Sequence, residues 1–226
     1  MTEIKAVIFD LDGTLVEFNL DYKAMQGEVR EYLTDIGVPT SLLSTKETIF
    51  EILKKAEIFL QNSQSSYSLH KMRTEVLTII DKYELEAARN TFLLPGVRET
   101  LRNLKRLNIR IGLFTLSGDK SVNFLFKRFK LENFFSVIVP RNKVNYVKPN
   151  PEHLKTALKI LNVTPAETIV IGDGITDITT AKELNVKAIG LTTGISTKEQ
   201  LIKHGANHII ASITELVPFI EKINNN

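Results

Sequence analysis

Asp10 and Asp12 stand one residue apart at the end of the apolar run 4–9, with Gly13 directly after them. In an extended segment, side chains at i and i+2 leave the same face of the chain, so these two carboxylates project together. Two acids that close cannot both ionise cheaply unless a cation sits beside or between them. The pattern therefore reads as metal-assisted acid chemistry at a strand end. Three more segments end in polar residues of a similar kind. The run Ile111-Gly112-Leu113-Phe114 leads into Thr115 and then Ser117, and Lys148 sits in Tyr146-Val147-Lys148-Pro149-Asn150-Pro151. Gly172-Asp173-Gly174-Ile175-Thr176-Asp177 adds two further carboxylates.

To act together, these residues need one scaffold that gathers strand ends. Short Ile/Val/Leu-rich runs predict strands at Ile109–Thr115, Phe135–Pro140, Thr168–Gly172 and Val186–Leu191, with a weaker one at His208–Ala211. Helical patterns lie between them. Gly96–Leu107 has Val97, Leu101, Leu104 and Leu107 on one face, and Pro151–Leu161, Ile175–Leu184 and Lys198–His204 continue the alternation. Strands separated by helices predict an α/β fold, a Rossmann-like parallel sheet flanked by helices, whose ligands collect at the carboxyl ends of the strands. The stretch from Glu17 to Leu94 breaks the rhythm, with helices predicted over Asp21–Ile36, Thr45–Gln61 and Tyr67–Ala88 and polar connectors at 37–41 and 61–66. So long a helical stretch exceeds an ordinary crossover and predicts an inserted all-helical domain. Residues 1–16 and 95–226 are then the core, residues 17–94 the insertion, and the closing asparagines a frayed end.

Composition removes whole classes of function. A chain of 226 residues, 43% hydrophobic and 24% charged, is an ordinary globular protein. Its net charge of +3 and lack of a basic run give no reason to expect nucleic acid as a partner. With no cysteine, thiol catalysis, cysteine-metal sites and disulfides are excluded. No run approaches the ~18 apolar residues of a membrane span, so no membrane association is expected and the cytoplasm is the expected compartment. No segment specifies monomer or homodimer.

Taken together, the four polar segments resemble the haloacid dehalogenase superfamily, over the whole chain. Asp10-Leu11-Asp12-Gly13-Thr14-Leu15 matches its first motif, Thr115 its second, Lys148 in Lys148-Pro149-Asn150-Pro151-Glu152 its third, and Gly172–Asp177 its fourth. The helical insertion resembles that family's C1 cap, and among named relatives the architecture is similar to phosphoglycolate phosphatases. The resemblance implies that Asp10 is a nucleophile that becomes an aspartyl-phosphate and that Asp12 is the general acid and base. It implies Mg2+ as cofactor, held by Asp10, the Asp12 backbone carbonyl and Asp173, with Asp177 in the surrounding shell holding a bound water or Lys148. Lys148, Thr115 and backbone N–H groups around Asp12 and Gly13 would bind the phosphoryl group of a small phosphorylated metabolite. The family's dehalogenases lack an acid at the position of Asp12, so its presence favours an oxygen leaving group. One departure stands out: many relatives carry Asn after the second-motif Thr, and here that residue is Leu116.

Each segment also has a plainer reading. The first motif could be a turn, but not an EF-hand, because glycine comes at the fourth position rather than the sixth. Gly172-Asp173-Gly174 alone could be a turn, Thr115 a structural hydroxyl and Lys148 a surface lysine. His70, His153, His204 and His208 show no ligand spacing and read as surface or structural. Phe124, Phe126, Phe129, Phe134 and Phe135 read as core rather than as a base-stacking platform. Glu17, Asn19, Lys23 and Arg30 are candidates for substrate selection by the cap. The activities that remain open are phosphomonoester hydrolysis, phosphoglucomutase-like phosphoryl transfer and non-catalytic docking.

Overall fold

A computed structural model describes residues 2–63 and 67–225. The chain divides into two compact units, Met1–Asn19 with Asn90–Asn226, and Leu20–Arg89.

In the larger unit six strands form one sheet: β1 (Ala6–Phe9), β2 (Arg110–Thr115), β3 (Val137–Pro140), β4 (Thr168–Gly172), β5 (Lys187–Leu191) and β6 (His208–Ile210). Their order across the sheet is β3-β2-β1-β4-β5-β6, and every pairing is parallel. The helices of this unit are α4 (Val97–Arg106), α5 (Asp119–Phe129), α6 (Pro151–Leu161), α7 (Ile175–Glu183), α8 (Lys198–His204) and α9 (Leu216–Asn224). Ala6 and Ile8 face a cluster that includes Leu154, Ile178 and Leu201 from α6, α7 and α8. Val7 and Phe9 point the other way and are equally buried. A sheet covered on both faces explains why these strands read as continuous apolar runs rather than alternating ones. Helix α5 and helix α9 are absent from the sequence expectations. Of the five phenylalanines read as core, Phe126 is buried, but Phe124 lies on the exposed side of α5, which corrects that reading.

The smaller unit holds α1 (Tyr22–Asp35), α2 (Ile49–Asn62) and α3 (Leu69–Asn90), the last running one residue past its boundary. Asp21 caps α1, its side chain accepting from the Ala24 N–H at 3.0 Å. Helix α2 starts later than its apolar pattern suggested, because Thr48 and Glu51 form a reciprocal capping box there. Met25, Val29 and Leu33 of α1 meet Ile52, Leu53 and Ala56 of α2 and Met72, Val76 and Ile80 of α3 in one apolar core. Of the polar connector expected over 61–66, residues 64–66 lie outside the described residues. No helix among the described residues is long and apolar enough to cross a membrane.

Candidate active site

The strand order puts β1 between β2 and β4, so the polar residues that follow these three strands meet at one rim. Asp10 leaves β1 with its N–H donating to the Ile171 carbonyl at 3.0 Å, which continues the ladder to β4 one step past the strand. Carboxylate oxygens of Asp10, Asp173 and Asp177 all lie within 4.8 Å of one another. Lys148 reaches the same spot from the loop before α6. Its Nζ donates to Asp10 Oδ1 at 2.7 Å, to Asp177 Oδ1 at 2.5 Å and to the Phe114 carbonyl at 3.4 Å. The other oxygen of Asp177 accepts from the Gly174 N–H at 3.0 Å, which ties the first turn of α7 to the site. All four charged side chains are buried.

Burial has opposite consequences for the two signs of charge. For Lys148, burial alone would favour the neutral amine, but Asp10 and Asp177 outweigh it and the ammonium is held above its ordinary range. For Asp173, burial comes first and the charge of Asp10 second, lifting it to about 6 against the Ile195 N–H and the Thr14 hydroxyl. Asp177 is pushed the same way by burial and then by Asp10, with Lys148 pulling back. Three carboxylates around one ammonium leave a formal excess of two negative charges at full ionisation. A compact, all-oxygen donor set with that excess fits a hard divalent cation.

Asp173 is fixed by groups from three directions. Thr14 Oγ1 donates to its Oδ1 at 3.1 Å, and the Ile195 N–H donates to its Oδ2 at 3.0 Å. Gly13 and Gly194 pack directly onto it: a Cβ at Gly194 would lie 1.9 Å from Asp173 Oδ2, and one at Gly13 2.5 Å from the same atom. Gly13 also has φ +80°, a left-handed conformation that other residues rarely adopt. Its N–H donates to the Val16 carbonyl at 2.8 Å, inside its own turn. Gly13 contributes its small size and its carbonyl, which accepts from Thr193 Oγ1 at 2.6 Å.

Asp12 faces a different partner. Its Oδ2 accepts a short hydrogen bond from Ser117 Oγ, and the Ser117 N–H in turn donates to Thr115 Oγ1 at 3.1 Å. The buried Arg141 holds this loop, its guanidinium donating to the Leu116 carbonyl at 3.0 Å. The apolar Leu116 thus enters the network through its backbone, and Ser117 makes the side-chain contact. The structure places Asp10, Lys148, Asp173 and Asp177 in one cluster, and Asp12 and Thr115 are joined through Ser117. The turn Thr193–Ile195 after β5 and the buried His153 were missed from the sequence. The rule that ligands gather at strand ends, applied to β5, would have found the first of these.

A family model for haloacid dehalogenase-like hydrolases matches residues 7–191. The chain belongs to that family. The matched stretch contains all the motif residues and ends just before the Thr193–Ile195 turn. The chain is 28% identical over 233 residues to pyrophosphatase PpaX of Bacillus mycoides (strain KBAB4), covering 98% of this chain and 99% of that protein. It is 26% identical over 219 residues to a phosphoglycolate phosphatase of Pseudomonas putida, covering 95% of this chain and 79% of that one. Among solved structures it is similar to a β-phosphoglucomutase from Clostridium difficile, with a TM-score of 0.69 and 26% identity over 98% of this chain and 97% of that one. The protein is thus a haloacid dehalogenase-like hydrolase built on the parallel α/β fold of that family.

Proposed function

We propose that this hydrolase is a phosphatase that cleaves a small phosphomonoester through an aspartyl-phosphate on Asp10, with Mg2+ as its cation. The observation that carries the reading is the convergence of Asp10, Asp173 and Asp177 on Lys148 at the rim of β1 and β4. Support also comes from relatives named as a pyrophosphatase and a phosphoglycolate phosphatase, which align over nearly the whole chain.

A carboxylate oxygen of Asp10 attacks phosphorus, a bond from Asp10 to phosphorus forms, and the ester P–O bond breaks. Asp12 donates its proton to the departing oxygen. Asp12 then takes a proton from water, the water oxygen attacks the same phosphorus, and inorganic phosphate and free Asp10 result. Lys148 holds the nucleophile by its hydrogen bond to Asp10 Oδ1 and adds positive charge where the phosphoryl oxygens gather. Thr115, at the end of β2, offers its hydroxyl to the same oxygens, and Ser117 keeps Asp12 in place. Asp10, Asp173 and the Asp12 carbonyl would hold Mg2+, which when bound reduces the repulsion between a carboxylate nucleophile and an anionic phosphate. Residues 17–94 serve as a C1 cap that selects the leaving group, with Glu17, Asn19, Lys23 and Arg30 as its candidate contacts.

The test uses purified protein with p-nitrophenyl phosphate. Turnover appears with Mg2+, disappears in EDTA, and falls by about 10³-fold or more in Asp10→Asn while the unfolding curve stays cooperative. Retained turnover in Asp10→Asn removes Asp10 as nucleophile. The likeness to a β-phosphoglucomutase favours one second reading, phosphoryl transfer to a sugar. Release of free phosphate to water, measured against sugar phosphate formed, separates the two.

A further inference from the structure

His153, the third residue of α6, is fully buried, and both of its ring nitrogens are engaged. Its Nε2 lies 2.9 Å from the Val139 carbonyl on β3, and its Nδ1 lies 3.3 Å from the Lys148 N–H. A carbonyl can only accept and a backbone N–H can only donate, so Nε2 carries the ring proton and Nδ1 is the acceptor. The ring also packs edge-on against Phe114, centroid to centroid at 5.6 Å and 67°. Phe114 in turn faces Lys148, whose Nζ lies 4.5 Å from the ring centroid and 3.4 Å from the Phe114 carbonyl.

We propose that His153 is the positioning residue for Lys148, linking the backbone of that lysine to β3 so that its ammonium stays between Asp10 and Asp177. The inference rests on the phosphatase reading for the part Lys148 plays, but its geometry does not. A lysine side chain is a flexible four-carbon stem, and three acceptors hold its far end. Its near end lies on the loop between β3 and α6, where Pro149 offers no N–H of its own. The Lys148 N–H is the donor through which that loop is anchored to the imidazole, and the Val139 contact gives the imidazole a fixed orientation on the sheet.

The two contacts can be separated by substitution. An asparagine amide reaches the place of Nδ1 and a glutamine amide the place of Nε2, whereas phenylalanine keeps the ring and neither polar group. With p-nitrophenyl phosphate, His153→Phe lowers kcat roughly 10- to 100-fold and leaves KM within about twofold. His153→Asn, which keeps the acceptor for the Lys148 N–H but not the contact to Val139, recovers part of the loss, and His153→Gln recovers less. Equal recovery by both amides, or an unchanged kcat in His153→Phe, overturns the proposal. If the phenylalanine variant does not fold, the contrast between Asn and Gln decides alone. A second readout needs no turnover: the 15N-resolved ammonium signal of Lys148 shifts or broadens in His153→Gln and returns in His153→Asn. An ammonium signal unchanged in both variants overturns the proposal whatever the wild type hydrolyses. Absence of wild-type turnover with this signal pattern intact would sink the phosphatase reading and leave His153 in its role.

Discussion

In the helical unit, residues 20–89, opposite charges meet in water: Lys82 and Glu28 pair at 2.7 Å with 57% and 36% of their side chains exposed, and Arg73 and Glu57 pair at 3.1 Å in a similar setting. At the rim of the sheet, Lys148 and Asp177 pair at 2.5 Å with 2% and 1% exposed. The apolar residues of the helical unit supply its core, and its ion pairs decorate that core. At the rim the ion pairs are the interior. The same pair of groups therefore has two meanings, because an exposed pair contributes about 0–1 kcal/mol whereas an unpartnered buried charge costs several. Buried charge placed against local stability marks where a fold serves chemistry.

The sharpest way to break this contrast is Lys148→Met, which leaves Asp10 and Asp177 buried without their cation. A stability loss of about 3–5 kcal/mol in urea unfolding, together with loss of turnover, is expected. A loss below 1 kcal/mol would show that the rim does not depend on its ion pairs. In the helical unit the corresponding damage comes from apolar truncation. Ile52→Ala, at a position with no exposure, should cost about 2–5 kcal/mol by the same assay.

Acid sharpens the comparison through His153, which burial first and then Lys148 depress to about 4. The unfolded chain takes up this proton near pH 6.5 and the folded chain only near 4, so the contribution of His153 to stability is complete above 6.5 and lost as pH falls through that window. The stability advantage of wild type over His153→Asn should shrink by about 3 kcal/mol between pH 7 and pH 4. A gap independent of pH would mean that the folded protein protonates this ring as easily as the unfolded chain. At the small end, Arg73→Ala removes an exposed pair and should change stability by no more than about 0.5 kcal/mol. A larger change would place the helical unit closer to the rim in its dependence on charge.

Much of the rim was legible because polar residues close apolar strands there, and strand ends are where a parallel sheet gathers its side chains. Asp10, Thr115 and Asp173 each follow or end a run of Ile, Val, Leu and Phe, so type and position agree. What went unread lacked such agreement. Helix α5 begins after Gly118 with no side-chain cap and is rich in phenylalanine, a weak helix former, so neither its start nor its propensity announces it. Helix α9 carries Pro218 in its first turn, where proline is tolerated but in a sequence reads as a stop. The Thr193–Ile195 turn acts through a hydroxyl, a missing side chain and a backbone N–H, none of which has the signature of a ligand. His153 was passed over because histidines are sought by metal spacing, whereas this one works by hydrogen bonding to main chain on both sides.

The strand order also dictates a timetable for a chain made from its amino terminus. The helical unit has all its own residues once Arg89 has emerged, whereas β1, synthesised before any of them, lacks a neighbour until residues 110–115 follow and stays open on its other edge until residues 168–172 arrive. Strand β1 is thus made before both of its neighbours and enclosed only after them. For most of that interval Asp10 lacks Lys148, the one cation that pairs with its carboxylate in the folded protein among the described residues.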